Sequence, residues 1–135
     1  MTRFIRALDR GEAEERLRRD EVEWRERGHG MLAVLDRASG EFLGRAGLKY
    51  WPQFEETELG WALRREAWDH GYATEAGGAC VEWAFSELGL AYVTAMINRE
   101  NRRSIAVAER LGLTPVRDDE LLGEPVVVYA VQRDD

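Results

Sequence analysis

The chain of 135 residues carries 19 Lys and Arg against 26 Asp and Glu, a formal charge of −7, with an isoelectric point near 5.0. That balance excludes the basic face that non-specific nucleic-acid or anionic-membrane binding requires, and it is compatible with a cationic or amine-bearing partner. The length suits one domain, residues 1–135, and the single cysteine, Cys80, excludes an intrachain disulfide and a structural zinc site.

Charges interrupt the opening MTRFIRALDR and no apolar run approaches membrane-spanning length, so a soluble cytoplasmic protein is expected. Gly11 to Arg27 reads as a helix, with Ala13, Leu17 and Trp24 at helical spacing and i,i+4 pairs Glu12/Arg16, Glu14/Arg18, Glu15/Arg19 and Glu23/Arg27 on a solvated face. Gly28-His29-Gly30 ends it, and His29 reads as a turn residue because no second histidine lies at metal-ligand spacing. Met31–Leu35 and Phe42–Tyr50 flank the polar turn DRASGE and predict an antiparallel hairpin. Trp51 to Thr57, containing Pro52, reads as a loop. Glu58 to Arg64, the core of a strand-like ETELGWALR, alternates Leu59, Trp61 and Leu63 against Glu58, Gly60 and Ala62. Gly60 marks a bulge or a close approach by another backbone or a ligand.

The stretch WDHGYATEA, Trp68 to Ala76, is a glycine turn running into a helix. Gly71 permits a path that a side chain would obstruct, and from Tyr72, Ala73 and Thr74 an apolar helical run extends to Leu88. The unbonded N–H groups of its first turn and the positive end of its macrodipole suit a phosphate. No lysine follows the glycine, so a nucleoside-triphosphate loop is absent and a backbone-held pyrophosphate is the expectation. Cys80 lies within this helix and reads as a small buried hydrophobe. Gly89 caps it, Ala91–Ile97 is a strand, NRENRRS (Asn98–Ser104) leads into a helix from Ser104 to Leu111, and Gly112 stops that. Pro115–Arg117 and Val126–Val131 are two last strands joined by an acidic loop, Asp118 to Pro125. The element order predicts an α/β (α+β) fold, a three-layer sandwich on a largely antiparallel sheet.

Taken together, ETELGWALR, W-x-x-G-Y-A-T-E-A and N-x-x-N-x-x-S resemble the GNAT superfamily of acyl-CoA-dependent N-acetyltransferases, nearest the branch of ribosomal-protein N-terminal (alanine) acetyltransferases. The resemblance runs from about Phe4 to Val131. It implies a three-layer α/β/α acyl-CoA N-acyltransferase fold with a mixed sheet, in which Glu58–Arg64 and Ala91–Ile97 run parallel and splay around a pantetheine arm. It implies acetyl-CoA as cofactor, a primary amine (protein N-terminus or small molecule) as acceptor, and direct attack in a ternary complex. Backbone from Trp68, Asp69, His70, Gly71, Tyr72, Ala73 and Thr74 would then hold the pyrophosphate. Trp61, Ala62 and Leu63 would pair with pantetheine and polarise the thioester carbonyl, and Asn98, Asn101 and Ser104 would form the other wall.

Two positions depart from the superfamily pattern. Trp68 stands where Gln or Arg is common, although the nearer branch often has Trp there. Ala108 stands where many members have a tyrosine acid, so protonation of the thiolate falls to Ser104, a water or Tyr129. Glu58 is the candidate base, directly or through water; the alternative is a surface strand residue. Asp69 and Glu75 read as acids serving the helix terminus, and His70 as solvent-facing. Arg64, Arg65, Arg102 and Arg103 are candidates for the 3′-phosphate. Trp51, Phe54 and Trp61 line the acceptor side or belong to the core. No metal is implied. The strand and helix that usually precede the segment matching Phe4-Ile5 are not seen, which suggests a shortened form whose sheet edge a second copy covers, a homodimer. The rival reading is a non-catalytic CoA-binding or interaction module.

Overall fold

A computed structural model describes residues 10–134, without the side chains of 10, 12–14, 16 and 17. The expectations for Phe4-Ile5, for Ala13 and Leu17 and for the pairs Glu12/Arg16 and Glu14/Arg18 therefore lie outside the described residues. The elements run α1 (Arg10–Arg27), β1 (Met31–Leu35), β2 (Phe42–Trp51), β3 (Glu56–Leu63), a 3-10 turn (Arg65–Ala67), α2 (Tyr72–Ser86), β4 (Tyr92–Ile97), α3 (Arg102–Arg110), β5 (Thr114–Leu121) and β6 (Glu124–Gln132). The six strands form one sheet in the order β1-β2-β3-β4-β6-β5, antiparallel throughout except for β3 against β4.

Strand alternation sorts the side chains into two layers. Ala46, Leu48, Leu59, Trp61, Val93, Ala95, Ile97 and Tyr129 face α2 and α3 and pack with Cys80, Ala84, Val107 and Ala108. Leu48 and Leu59 are almost fully closed off, and burial of such a side chain contributes about 2 kcal/mol. Gly77 lets α2 approach α3 closely: a Cβ there would meet Leu111 at 2.8 Å. A second cluster, Trp51, Met96, Leu121, Val126 and Val128, lies on the opposite face. Trp24 links α1 to β1 and α2, its Nε1 donating to the Met31 carbonyl at 3.0 Å while its ring stacks on Trp83 of α2.

Several expectations change. Glu23 does not serve Arg27 along the helix; it accepts from Lys49 Nζ at 3.3 Å and from the Tyr50 N–H at 3.0 Å, while Arg27 lies over the Tyr50 ring. Glu15 is bonded by Arg18, at i,i+3. The Trp51–Thr57 loop is shorter than expected because β2 and β3 stay in register out to Trp51↔Glu56. Gly60 is no bulge, since it faces Gly47 within that unbroken register. The acidic loop is not a loop: Asp118, Asp119 and Glu120 pair with Val127, Val126 and Pro125, and a two-residue turn, Leu122-Gly123, closes the hairpin. Both turn residues have positive φ, 52° and 81°, the type I′ geometry that matches strand twist. His29 is buried, its Nδ1 donating to the Leu48 carbonyl at 3.2 Å.

Candidate active site

The parallel pair at the centre of the sheet meets at one register position, Glu58↔Thr94. Ladder alternation on the other side of β3 decides what faces the gap beyond it. Arg64 N–H donates to the Leu43 carbonyl at 2.7 Å, so Arg45 and Ala62 form a hydrogen-bonded pair and the peptide groups of Trp61 and Leu63 point away from β2. Ala62, expected among the pantetheine contacts, has its peptide groups turned to β2. A pocket of about 630 Å³ opens at this gap between Trp61 and Leu63 on one side and α3 on the other. Trp68 closes its near end, with Nε1 donating to the Leu63 carbonyl at 3.0 Å.

The first turn of α2 forms one wall, with Gly71, Tyr72, Ala73 and Thr74 all at the pocket. Gly71 is the N-cap at φ 79°, with no side-chain cap, and the Glu75 N–H closes the first helical turn onto its carbonyl at 3.0 Å. The amides of Tyr72, Ala73 and Thr74 thus have no intrahelical acceptor. A Cβ at Gly71 would meet nothing within 4 Å, so it is the left-handed backbone path there, φ 79°, that calls for glycine. On α3, Asn101 is the N-cap, its Oδ1 accepting from the Ser104 N–H at 3.2 Å, and Ser104 Oγ accepts from Trp61 Nε1 at 3.2 Å. That last bond, between residues 43 apart, ties β3 to α3 across the pocket.

A family model for the acetyltransferase (GNAT) domain matches residues 1–114. The chain belongs to the GNAT acetyltransferase family. It is 34% identical over 128 residues to the uncharacterised protein YkkB of Bacillus subtilis (strain 168), covering 88% of this chain and 73% of that one. An acetyltransferase from Agrobacterium tumefaciens superposes with a TM-score of 0.83 at 33% identity, covering 93% and 74% of the two chains. RimL, a ribosomal L7/L12 alpha-N-protein acetyltransferase solved with coenzyme A, shares the fold at TM-score 0.78 and 17% identity, over 93% and 73%. This GNAT domain is accordingly an acetyl-CoA-dependent acetyltransferase, whose general reaction is acetyl transfer to an amine. The pocket fits that cofactor: open amides at a helix N-terminus suit a diphosphate, and Arg102, Arg103 and Arg110 line the same space.

The remaining expected residues of the GNAT domain fall in different places. Asn98 is outside the pocket, its Oδ1 accepting from the Glu100 N–H at 2.9 Å. His70 is exposed and stacked on Tyr72, and it too is outside. Arg64 is engaged by Glu41 and Glu66, and Arg65 lies near the Trp68 ring. Arg110, Ala106 and Val107 line the pocket though sequence reasoning passed them over; their spacing from Arg103 on one helical face was the available signal. Ala108 and Tyr129 are buried in the helix-side core. Burial pushes the Cys80 thiol up.

Glu58 sits on the other face of the sheet and is 2% exposed. Its Oε1 accepts from Trp51 Nε1 at 2.8 Å and its Oε2 from the Met96 N–H at 3.1 Å. Beside it, Arg117 of β5 reaches back to β3 and grips Glu56 with two nitrogens, at 2.6 and 3.1 Å. Arg117 holds the Glu56 carboxyl below the ordinary glutamate range; burial opposes this and the Tyr92 hydroxyl, donating at 2.9 Å, assists. Asp119 is likewise held low by Arg117. Burial first, and then Glu56, pushes the Tyr92 hydroxyl up.

Proposed function

We propose that residues 1–135 form one cytoplasmic acetyltransferase domain that moves the acetyl group of acetyl-CoA to a primary amine by direct attack in a ternary complex. The observation that carries this reading is the pocket where β3 and β4 part, walled by the first turn of α2 and the N-terminal turn of α3. The cofactor supplies an activated thioester. Amides of Tyr72 to Thr74 hold the diphosphate, the peptide groups of Trp61 and Leu63 align the pantetheine arm and polarise the thioester carbonyl, and Asn101 and Ser104 form the facing wall. Ser104 passes its hydroxyl proton to the leaving sulfur and regains one from solvent, to which the proton of the amine is finally released. Glu58, closed in by Trp51 and Met96 from the opposite face, takes the proton of the amine through water.

A base so enclosed favours an amine that is already neutral in part. An α-amine titrates about 2.5 pH units below a lysine side chain, so lysine carries an added cost of roughly 3.5 kcal/mol in reaching its neutral form. The acceptor is therefore an α-amine or another amine of low pKa. An acceptor screen with intact-mass detection tests this: N-terminal peptides should turn over faster than matched lysine side chains, and the reverse order overturns the reading. A second copy is the proposed cover for the edge strand β1, beside which Leu32, Leu35 and Phe42 are 44%, 56% and 46% exposed. Light scattering at micromolar concentration should give a dimer mass, and a monomer mass removes the idea.

A further inference from the structure

Two side chains from different elements meet across the mouth of the pocket. Arg103, in the first turn of α3, donates from Nη1 to Asp69 Oδ1 at 2.5 Å, and its guanidinium carbon stands 4.7 Å over the Trp68 ring. All three residues line the pocket. Asp69 is held with φ at 64°, an uncommon conformation for a residue other than glycine, two positions before the Gly71 N-cap. The ion pair is exposed, with side-chain exposures of 55% and 75%, and a pair in that setting adds little to fold stability. Its consequence is for binding. Asp69 puts a negative charge at the entrance to a site whose ligand is a polyanion, and Arg103 is seated where it cancels that charge.

We propose that Arg103 is a positioning residue for the cofactor that acts through Asp69: it neutralises the carboxylate at the pocket mouth and pins the Trp68–Asp69 loop, so that coenzyme A meets a neutral pair and not an anion. The geometry favours this over direct phosphate contact, because the guanidinium is already engaged edge-on by Asp69 and face-on by Trp68. With Arg103 removed, the bare carboxylate repels the two charges of a diphosphate. For charges roughly 8 Å apart in a medium close to water, that repulsion weakens binding about five- to tenfold, and added salt reduces it.

This inference rests on the pocket being the coenzyme A site, and the experiment separates the two. Coenzyme A dissociation constants are measured by calorimetry at low ionic strength for the wild type, Arg103→Ala, Asp69→Asn, the double variant and Thr74→Trp, which fills the pocket beside the first turn of α2. Expected are five- to tenfold weaker binding for Arg103→Ala, binding at least as tight as wild type for Asp69→Asn, and binding within about twofold of wild type for the double variant, whose pocket mouth is neutral again. In about 0.5 M salt the Arg103→Ala deficit should shrink, which a merely structural role for Arg103 would not produce. A double variant as weak as Arg103→Ala, no cost of Arg103→Ala at all, or weaker binding by Asp69→Asn overturns the proposal. Full affinity in Thr74→Trp overturns instead the assignment of the pocket.

Discussion

Glu58→Gln tests an enclosed group of the proposed site. Glutamine keeps the shape of the side chain but exchanges one acceptor oxygen for an NH2 donor. In the wild type, both carboxylate oxygens face donors, the Trp51 indole N–H at 2.8 Å and the Met96 backbone N–H at 3.1 Å. Whichever way the amide turns, one of these bonds becomes a donor-to-donor contact at a residue 2% exposed. Losing that bond and leaving a buried donor without its acceptor costs about 2 kcal/mol. An unfolding entropy of about 2.1 cal/mol/K per residue turns this into a fall in Tm of roughly 7 °C for a chain of this length. Because Glu58 is also the proposed base, turnover with saturating acetyl-CoA and the best amine should drop on the order of 10²- to 10³-fold. Coenzyme A affinity should be unchanged, since Glu58 is on the face away from the pocket. Calorimetric melts and steady-state rates on the same preparation read both numbers. A melting point within about 1 °C of wild type refutes the hydrogen-bond argument; a destabilised variant with undiminished turnover refutes the base.

Ser104→Ala removes the acceptor of the Trp61 indole and should cost about 1 kcal/mol in a denaturant melt. Its turnover should fall roughly ten- to a hundredfold, and undiminished turnover would move the proton-donor role away from Ser104. Gly71→Ala has space for its methyl group but must adopt φ near 79°, so a loss of about 1–2 kcal/mol from backbone conformation is expected; a loss above about 3 kcal/mol would point to a collision the structure does not contain. The Glu56–Arg117 pair predicts an acid limb in stability. Since the folded carboxyl titrates below its unfolded value, its contribution is present above roughly pH 4.3 and is lost as pH falls through the folded value. Arg117→Met should therefore melt lower at neutral pH, with the gap to wild type narrowing as pH falls below roughly 4.3, and a constant gap from neutral into that acid range would refute the linkage.

The two families of element differ in how far the sequence alone could place them. Helix and turn signals are local, so Gly71 before Tyr72, Gly89 after α2 and Gly112 after α3 could be read directly, because each marks a backbone conformation that neighbouring residues cannot override. β5 was obscured because Asp118 to Glu120 are weak strand formers and Leu122-Gly123 lacks the Asn-Gly or Asp-Gly signature of its turn; pairing with the β-rich Val126–Val128 outweighs the local preference.

By itself the sequence determined the α/β pattern, the glycine-capped start of α2 and the motif strings that resemble the GNAT family, because periodicity, glycine conformation and helix polarity act over a few residues. Tertiary structure alone decided that Glu58 is shut between Trp51 and Met96, that Arg103 answers Asp69 from 34 residues away, and that Arg117 straps β5 to Glu56 across 61 residues. Those contacts join groups with no correlated spacing along the chain, and they exist only once the packed sheet and helices bring their elements together.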